Sequence, residues 1–364
     1  MAWTKVMPAN PVVAVCGATG AVGNEFLNVL HDLDFPASKV IALASARSAG
    51  KKLPFKGCGQ VPAGELTVQE MAPESFEGVD IALFSAGGSV SKAMRDAVVS
   101  HGAVMIDNSS AFRMDEDVPL VVPEVNPGDV SWHNGVIANP NCSTIQMVVA
   151  LKPLYDLARI TRVVVSTYQA ASGAGAPAMA ELYDQTREFL DGKPEDELTI
   201  KAFKHRIAFN TIPHIDVFLD DDSTKEEWKM VAETKKIMGD EGVQVAATCV
   251  RVPVFYGHSE SVNIETERKL SAKEARAILA QAPGVQVYDN PSEKMYPLAV
   301  DAAGEDATYV GRIREDDTIP NGLNMWIVAD NIRKGAALNA VQIAEELVRR
   351  DLLGVKDRTV FIKK

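Results

Sequence analysis

Several things are scarce in this 364-residue sequence, and each scarcity narrows what the protein does. No apolar run approaches the roughly 18 residues that a membrane-spanning helix needs. The N-terminal residues 1–16 lack a basic stretch followed by a long apolar one, so no secretory signal is expected. Cysteine is limited to Cys16, Cys58, Cys142 and Cys249, with no CxxC pair and no His/Cys ligand spacing. Neither a disulfide framework nor a bound metal is expected, and a reducing cytoplasm is the expected compartment. Positive charge is also in deficit: 37 Lys and Arg against 49 Asp and Glu leave a formal net charge of -12. That balance argues against nucleic acid and anionic membrane as partners, though it permits a local basic pocket.

What remains has an ordinary globular composition, 46% hydrophobic and 24% charged. The length exceeds what one core usually serves, so two domains are expected. Apolar runs at 12–16, 39–44, 80–85 and 103–107 read as strands, with helical spacing at 21–33 and 90–100. Strands that are apolar throughout and alternate with helices predict a doubly wound parallel sheet, the Rossmann type of α/β domain. After residue 141 the pattern changes. A helix at 144–157 precedes a β-branched strand at 162–167, and later strands at 243–254, 261–266, 285–288, 308–313 and 324–329 partly alternate apolar with polar residues. With helices at 177–190, 225–238 and 272–281, this half reads as an α+β domain on a mixed sheet. Residues 220–225 read as a loop, and a last helix at 334–350 is expected to pack back on the first domain. The expected division is therefore 1–141 with 332–364, and 142–331.

The run Gly17-Ala-Thr-Gly20-Ala-Val-Gly23 places three glycines in the turn from the first strand into the first helix. Tight turns use glycine for its own sake. At a strand-to-helix junction opening an α/β domain, however, such a turn lets a backbone approach a pyrophosphate at a helix N-terminus. NAD sites usually carry Asp or Glu at the end of the second strand for the ribose 2′-hydroxyl. This sequence instead has Ser45-Ala-Arg47-Ser48-Ala-Gly-Lys51-Lys52. An arginine and two hydroxyls suit a 2′-phosphate, which predicts NADP; a solvated basic loop is the plainer alternative.

The segment Ala138-Asn-Pro-Asn141-Cys142-Ser143-Thr144-Ile-Gln146 sets a cysteine where a helix opens, a position that stabilises a thiolate. Taken alone, such a cysteine is more often a buried structural one. Its context includes Gln169, Ser172-Gly173-Ala-Gly175, Arg251-Val-Pro-Val-Phe-Tyr-Gly257-His258, Asn108-Ser-Ser-Ala-Phe-Arg113 and Ala329-Asp-Asn331-Ile-Arg-Lys-Gly335. These motifs, in this order from about residue 12 to about residue 350, closely resemble those of the aspartate-semialdehyde dehydrogenases. The resemblance implies a catalytic and dimerisation role for the second domain. It implies that Cys142 attacks an acyl phosphate, Gln169 orients the acyl group, His258 acts as acid and base, and Arg251 binds the substrate carboxylate. It assigns Arg113, Asn141 and Lys229 to phosphate and Glu226 to the substrate amino group. Gly17, Thr19, Gly20, Ala21, Val22, Ser45, Arg47, Ser48, Ser172, Gly173 and Asn331 would meet NADP. It further implies a homodimer or homotetramer and a place in lysine, threonine and methionine synthesis.

A soft nucleophile on an acyl phosphate gives a tetrahedral species that expels phosphate, and the thioester then accepts hydride. A thiol of pKa about 8.5 is already roughly 3% ionised at pH 7, so complete ionisation gains at most about 30-fold. Positioned acid–base groups typically contribute about 10²–10⁴-fold, so His258 is expected to serve the tetrahedral species as well.

Plainer readings stand beside several assignments. Glu226 and Lys229, three apart on a helix, are first expected to form an exposed ion pair. Arg251 and His258 are seven apart, an odd offset that would face opposite sides of an ideal strand. Pro253 and Gly257 are expected to break that strand, so the spacing neither supports nor excludes a shared pocket. Arg113 is a loop arginine, usually a surface residue, and His214 after Pro213 reads as structural. An N-acetyl-γ-glutamyl-phosphate reductase shares this chemistry, a glyceraldehyde-phosphate dehydrogenase is more distant, and a non-catalytic NADP-binding paralogue is the alternative of another class. Ser-Thr-Ile-Gln after Cys142 and the Arg251/His258 spacing favour the aspartyl enzyme.

Overall fold

The computed structural model describes residues 7–352, and the chain divides into two compact units. One runs to Asn141 and resumes at Ala336; the other is Cys142–Gly335.

The first unit opens with strand β1 (Val12–Cys16), helix α1 (Ala21–Asp32) and β2 (Lys39–Ala44). A hairpin of β3 (Lys52–Phe55) and β4 (Gly64–Thr67) comes next, then β5 (Gln69–Glu70), β6 (Ile81–Phe84), helix α2 (Gly88–Ser100), β7 (Val104–Asp107) and β8 (Val136–Ala138). The main sheet has the order β5-β2-β1-β6-β7-β8 with every pairing parallel. All four residues of β6 and of β7 are buried, as expected of strands covered on both faces. Strand order reverses at β1, flanked by β2 and β6, and the carboxyl end of such a strand is where open α/β sheets receive ligands. Phe26 and Leu30, one turn apart on α1, join Val13, Val15 and Leu83 in the core. The final helix, Leu338–Arg349, adds Val341, Ile343 and Leu347 to that same core. It starts four residues later than the sequence suggests, because Arg333–Ala337 form a π-helical turn.

The second unit contains α3 (Cys142–Ala158), β9 (Ile160–Gln169), α4 (Ala176–Leu190), α5 (Lys225–Met238), β10 (Gln244–Arg251) and β11 (His258–Thr266). It continues through α6 (Ala272–Leu279), β12 (Val285–Val287), α7 (Ala299–Ala302), β13 (Thr308–Asp316) and β14 (Gly322–Ala329). Its sheet has the order β10-β9-β11-β14-β13-β12, parallel for β10 with β9 and for β12 with β13, antiparallel elsewhere. Residues Ser143 to Leu151 of α3 are buried without interruption, the pattern of a helix enclosed on all sides. It packs on β9, β11, β13 and β14 with α5 and α6 beside it. Helix α5 is fixed at its start by a reciprocal cap: Thr224 Oγ1 accepts from the Glu227 N–H, and Glu227 Oε2 accepts from the Thr224 N–H. Among the described residues no helix is long and apolar enough to cross a membrane.

Candidate active site

In the first unit the glycine turn comes directly after β1. Gly17 has φ +84° and lies so close to Ser85 that a side chain there would meet its carbonyl oxygen. A Cβ at Gly23 would collide with the carbonyl of Gly17, so α1 can rise from the turn only with glycine there. Gly20 caps α1, whose first turn (Ala21, Val22) carries no acidic residue, leaving its N–H groups and dipole to a ligand. Thr19 Oγ1 and Ser48 Oγ are 3.4 Å apart, joining the turns after β1 and β2. Beside them Ser45 and Arg47 are exposed, in a short 3₁₀ turn without a carboxylate.

Arg113 is not the surface residue that loop arginines usually are. It is buried, its Nε donating to the Asn139 carbonyl at 2.9 Å and its Nη2 to the Asn108 carbonyl at 2.8 Å. Nearby, the buried Asp107 carboxylate accepts from Ser91 Oγ at 2.6 Å and Ser109 Oγ at 2.5 Å. Burial pushes its pKa up, against those hydroxyls and the charge of Arg113. Asn141, also buried, is the last residue before α3.

In the second unit the sheet order settles the seven-residue offset between Arg251 and His258. They do not share a strand: Arg251 ends β10, His258 begins β11, and β9 runs between them. Residues 252–257 break the chain direction, with Gly257 at φ +84°. Arg251 pairs in register with Gln169, the last residue of β9. Arg251 and His258 therefore flank the end of β9 from both sides, and they converge on Gly173. A Cβ at Gly173 would lie 2.8 Å from Arg251 Nη1 and 3.1 Å from His258 Nε2. Asn331 binds this region together, its amide donating to Ser172 Oγ at 3.0 Å while its oxygen accepts from the Gly257 N–H at 3.0 Å.

Cys142 heads α3 and is partly exposed, whereas Cys16, Cys58 and Cys249 are buried. A Cβ at Gly335, in the π-helical turn, would lie 2.8 Å from Cys142 Cβ. Burial pulls the Arg251 pKa down, and the Cys142 thiolate and Glu226 pull it back, so a guanidinium sits within electrostatic reach of the nucleophile.

The Glu226–Lys229 pair is present, with Glu226 buried and Lys229 partly buried, contrary to the exposed pair expected. Gln169 Nε2 donates to Glu226 Oε1 at 3.2 Å, and Lys229 Nζ donates to Glu226 Oε2 at 3.1 Å and to Asp216 Oδ2 at 2.7 Å. Burial lowers the Lys229 pKa, but the two carboxylates outweigh it and hold the ammonium above its ordinary value. Asp216 carried no sequence signal; it joins through a loop residue at φ +69°. His214 stacks on Phe218 at 4.3 Å, in keeping with a structural role.

Burial holds His258 well below the ordinary imidazole pKa, helped by the charge of Arg251, while a Gly257 backbone contact opposes it. Its Nδ1 lies 3.1 Å from the Ala170 backbone nitrogen, and its Nε2 is buried without a hydrogen-bond partner. No trio of His, Cys, Asp or Glu side chains among the described residues is arranged to hold a metal.

A nucleotide-type glycine turn in one unit and a thiol beside an arginine in the other define the class. Residues 12–133 match the NAD binding domain of semialdehyde dehydrogenases, and residues 151–334 match the dimerisation domain of the same enzymes. Aspartate-semialdehyde dehydrogenase of Aquifex aeolicus is 58% identical, the match covering 94% of this chain and 99% of that one. The solved structure of aspartate semialdehyde dehydrogenase II from Vibrio cholerae complexed with ASA matches at TM-score 0.89 and 47% identity, covering 93% and 98% of the two chains. The enzyme of Candida albicans with NADP matches at TM-score 0.69 and 26% identity, covering 93% and 98%. This chain belongs to the aspartate-semialdehyde dehydrogenase family. The N-acetyl-γ-glutamyl-phosphate reductase alternative is not favoured by these relatives.

Proposed function

We propose that the protein reduces L-aspartyl 4-phosphate to L-aspartate 4-semialdehyde and phosphate, reversibly, through a thioester on Cys142. The observation that carries this reading is the convergence of Arg251 and His258 on Gly173 in the unit whose helix α3 opens on the partly exposed Cys142. Cys142 adds to the acyl carbon, and collapse of the tetrahedral species expels phosphate. Gln169, braced by Glu226, orients the acyl group, and His258 serves the tetrahedral species. Arg251 takes the substrate carboxylate, Glu226 its amino group, and Lys229, Arg113 and Asn141 its phosphate. Such a substrate needs cations concentrated in one place, which reconciles these contacts with an acidic protein.

NADP is the dinucleotide this reading assigns, since Arg47 and the Ser45 and Ser48 hydroxyls follow β2, where an NAD site would carry a carboxylate. The glycine turn (Gly17, Gly20, Ala21, Val22) and Ser45 complete that end, and Ser172, Gly173 and Asn331 are its contacts in the catalytic unit. When bound, it supplies the hydride that converts the thioester to the aldehyde. The same reading places the protein in the cytoplasm as a homodimer or homotetramer, supplying lysine, threonine and methionine synthesis.

Reduction of NADP with aspartate semialdehyde plus phosphate tests the reading, wild type against Cys142→Ala. Phosphate-dependent turnover abolished by the substitution is the expected result. Turnover of N-acetyl-glutamyl phosphate but not 4-aspartyl phosphate with NADPH would replace the substrate assignment.

A further inference from the structure

Ala170 has no side chain to contribute, yet both of its backbone polar groups are committed to the site. It is fully buried between the end of β9 and the 3₁₀ turn Ala171–Ala174. Its carbonyl accepts from Arg251 Nη1 at 2.6 Å, and its N–H donates to His258 Nδ1 at 3.1 Å. A peptide N–H only donates, so Nδ1 must present its lone pair. A neutral imidazole accepting at Nδ1 carries its proton on Nε2. An imidazolium would set a second hydrogen on Nδ1 against that of Ala170. Turning the ring over would leave the buried Ala170 donor facing carbon, at a cost of about 1–3 kcal/mol.

We propose that the Ala170 N–H is a tautomer lock that keeps His258 neutral with its proton on Nε2. His258 then acts as a fixed hydrogen-bond donor to the developing oxyanion and not as the base for the Cys142 thiol. Its Nε2 is free for that role: it is buried, unpartnered, and placed beside Gly173. The charges around it agree. From β10, the Arg251 guanidinium disfavours a second cation and is itself coupled to the Cys142 thiolate at the head of α3. On α5, Glu226 is engaged by Gln169 and Lys229. On β11, Glu260 is fully buried, and that burial pushes its pKa well up. The thiolate therefore has its counter-charge in Arg251.

The thiol proton leaves to solvent before attack. The sulfur pair then forms the C–S bond while the carbonyl pair moves to oxygen. The Nε2 proton bridges to that oxygen without transferring, and return of the pair expels phosphate. The oxyanion half of this inference rests on the proposed function; the lock itself does not.

Nitrogen-15 NMR of the ligand-free, full-length protein labelled at histidine reads the lock directly, with His258 assigned by its loss in His258→Asn. The expected spectrum, from about pH 6 to about pH 9, shows unprotonated Nδ1 and protonated Nε2; protonated Nδ1 in that range overturns the proposal. The pH profile of Cys142 alkylation by iodoacetamide should keep its midpoint in His258→Asn, where one neutral group replaces another. A midpoint that rises by a full pH unit would instead reveal a thiolate–imidazolium pair. Ala170 has φ −65°, proline's own value, so Ala170→Pro removes the donor without a change of φ, while its Cδ, aimed at Nδ1, pushes the imidazole out of the locked position. Averaged nitrogen shifts are expected there, and a retained single tautomer would assign the lock elsewhere; if the variant fails to fold, the wild-type spectrum decides. A locked spectrum in an enzyme that forms no thioester from aspartyl phosphate would overturn the functional reading and leave the lock standing.

Discussion

At the residue scale, two positions around Cys142 separate ionisation of the thiol from the handling of the acyl group it attacks. Complete ionisation of a thiol of pKa about 8.5 is worth at most about 30-fold at neutral pH. His258→Asn should therefore slow acylation by more than about 30-fold, toward the roughly 10²–10³-fold that loss of one oxyanion donor costs. Raising the pH should not restore the rate. Rapid-quench measurement of phosphate release checks this, and recovery at alkaline pH would reduce His258 to a thiol activator. Gly335 packs directly against the nucleophile. Because a methyl there would meet Cys142 Cβ at 2.8 Å, Gly335→Ala must displace either the thiol or the π-helical turn. A displacement of that kind can cost about 10²-fold in kcat. Cofactor affinity, read by fluorescence titration, should change far less, since the glycine turn and Arg47 are untouched; an equal loss in both would point to general disruption.

At the element scale, α5 carries both Glu226 and Lys229, so its position decides whether Gln169 is braced. Thr224→Ala removes the acceptor of its reciprocal cap and should cost about 1 kcal/mol in stability. It should also raise KM for the acyl phosphate more than it lowers kcat. Denaturant unfolding and steady-state kinetics together check this, and a kinetic effect without a stability loss would separate the cap from the site. What sequence could convey about such elements depended on how fully each is buried. The strands at 12–16 and 80–85 were legible because every one of their core positions is apolar. The β3–β4 hairpin was missed because its strands are only four residues long and carry Pro54 and Gly64, residues that usually punctuate turns. Sequence spacing left open whether Arg251 and His258 share a pocket, because no local pattern reveals that β9 lies between their strands. Nor does Asp216 announce itself, since its bond to Lys229 comes from a loop distant in sequence.

At the scale of the whole molecule, the proposed function draws on residues of both units and assigns the choice of dinucleotide to the basic loop of the first. A ligand that binds only the folded state stabilises it by mass action, by about 2.7 kcal/mol at a hundredfold excess over its Kd. NADP should therefore raise the melting temperature more than NAD at equal concentration, and Arg47→Ala should remove most of that difference. Equal shifts with the two cofactors would show that Arg47 and Ser48 do not read the 2′ position. The division of the chain also sets an order of events during synthesis. The catalytic unit is one uninterrupted segment, whereas the core of the other unit waits for Val341, Ile343 and Leu347 from the far end of the chain. At about 5–20 residues per second, the roughly 200 residues between its two pieces take about 10–40 s to emerge from a ribosome. For that interval the nascent glycine turn has an incomplete scaffold, and as it ends the thiol-bearing unit has all the chain it needs to close before the last helix is made.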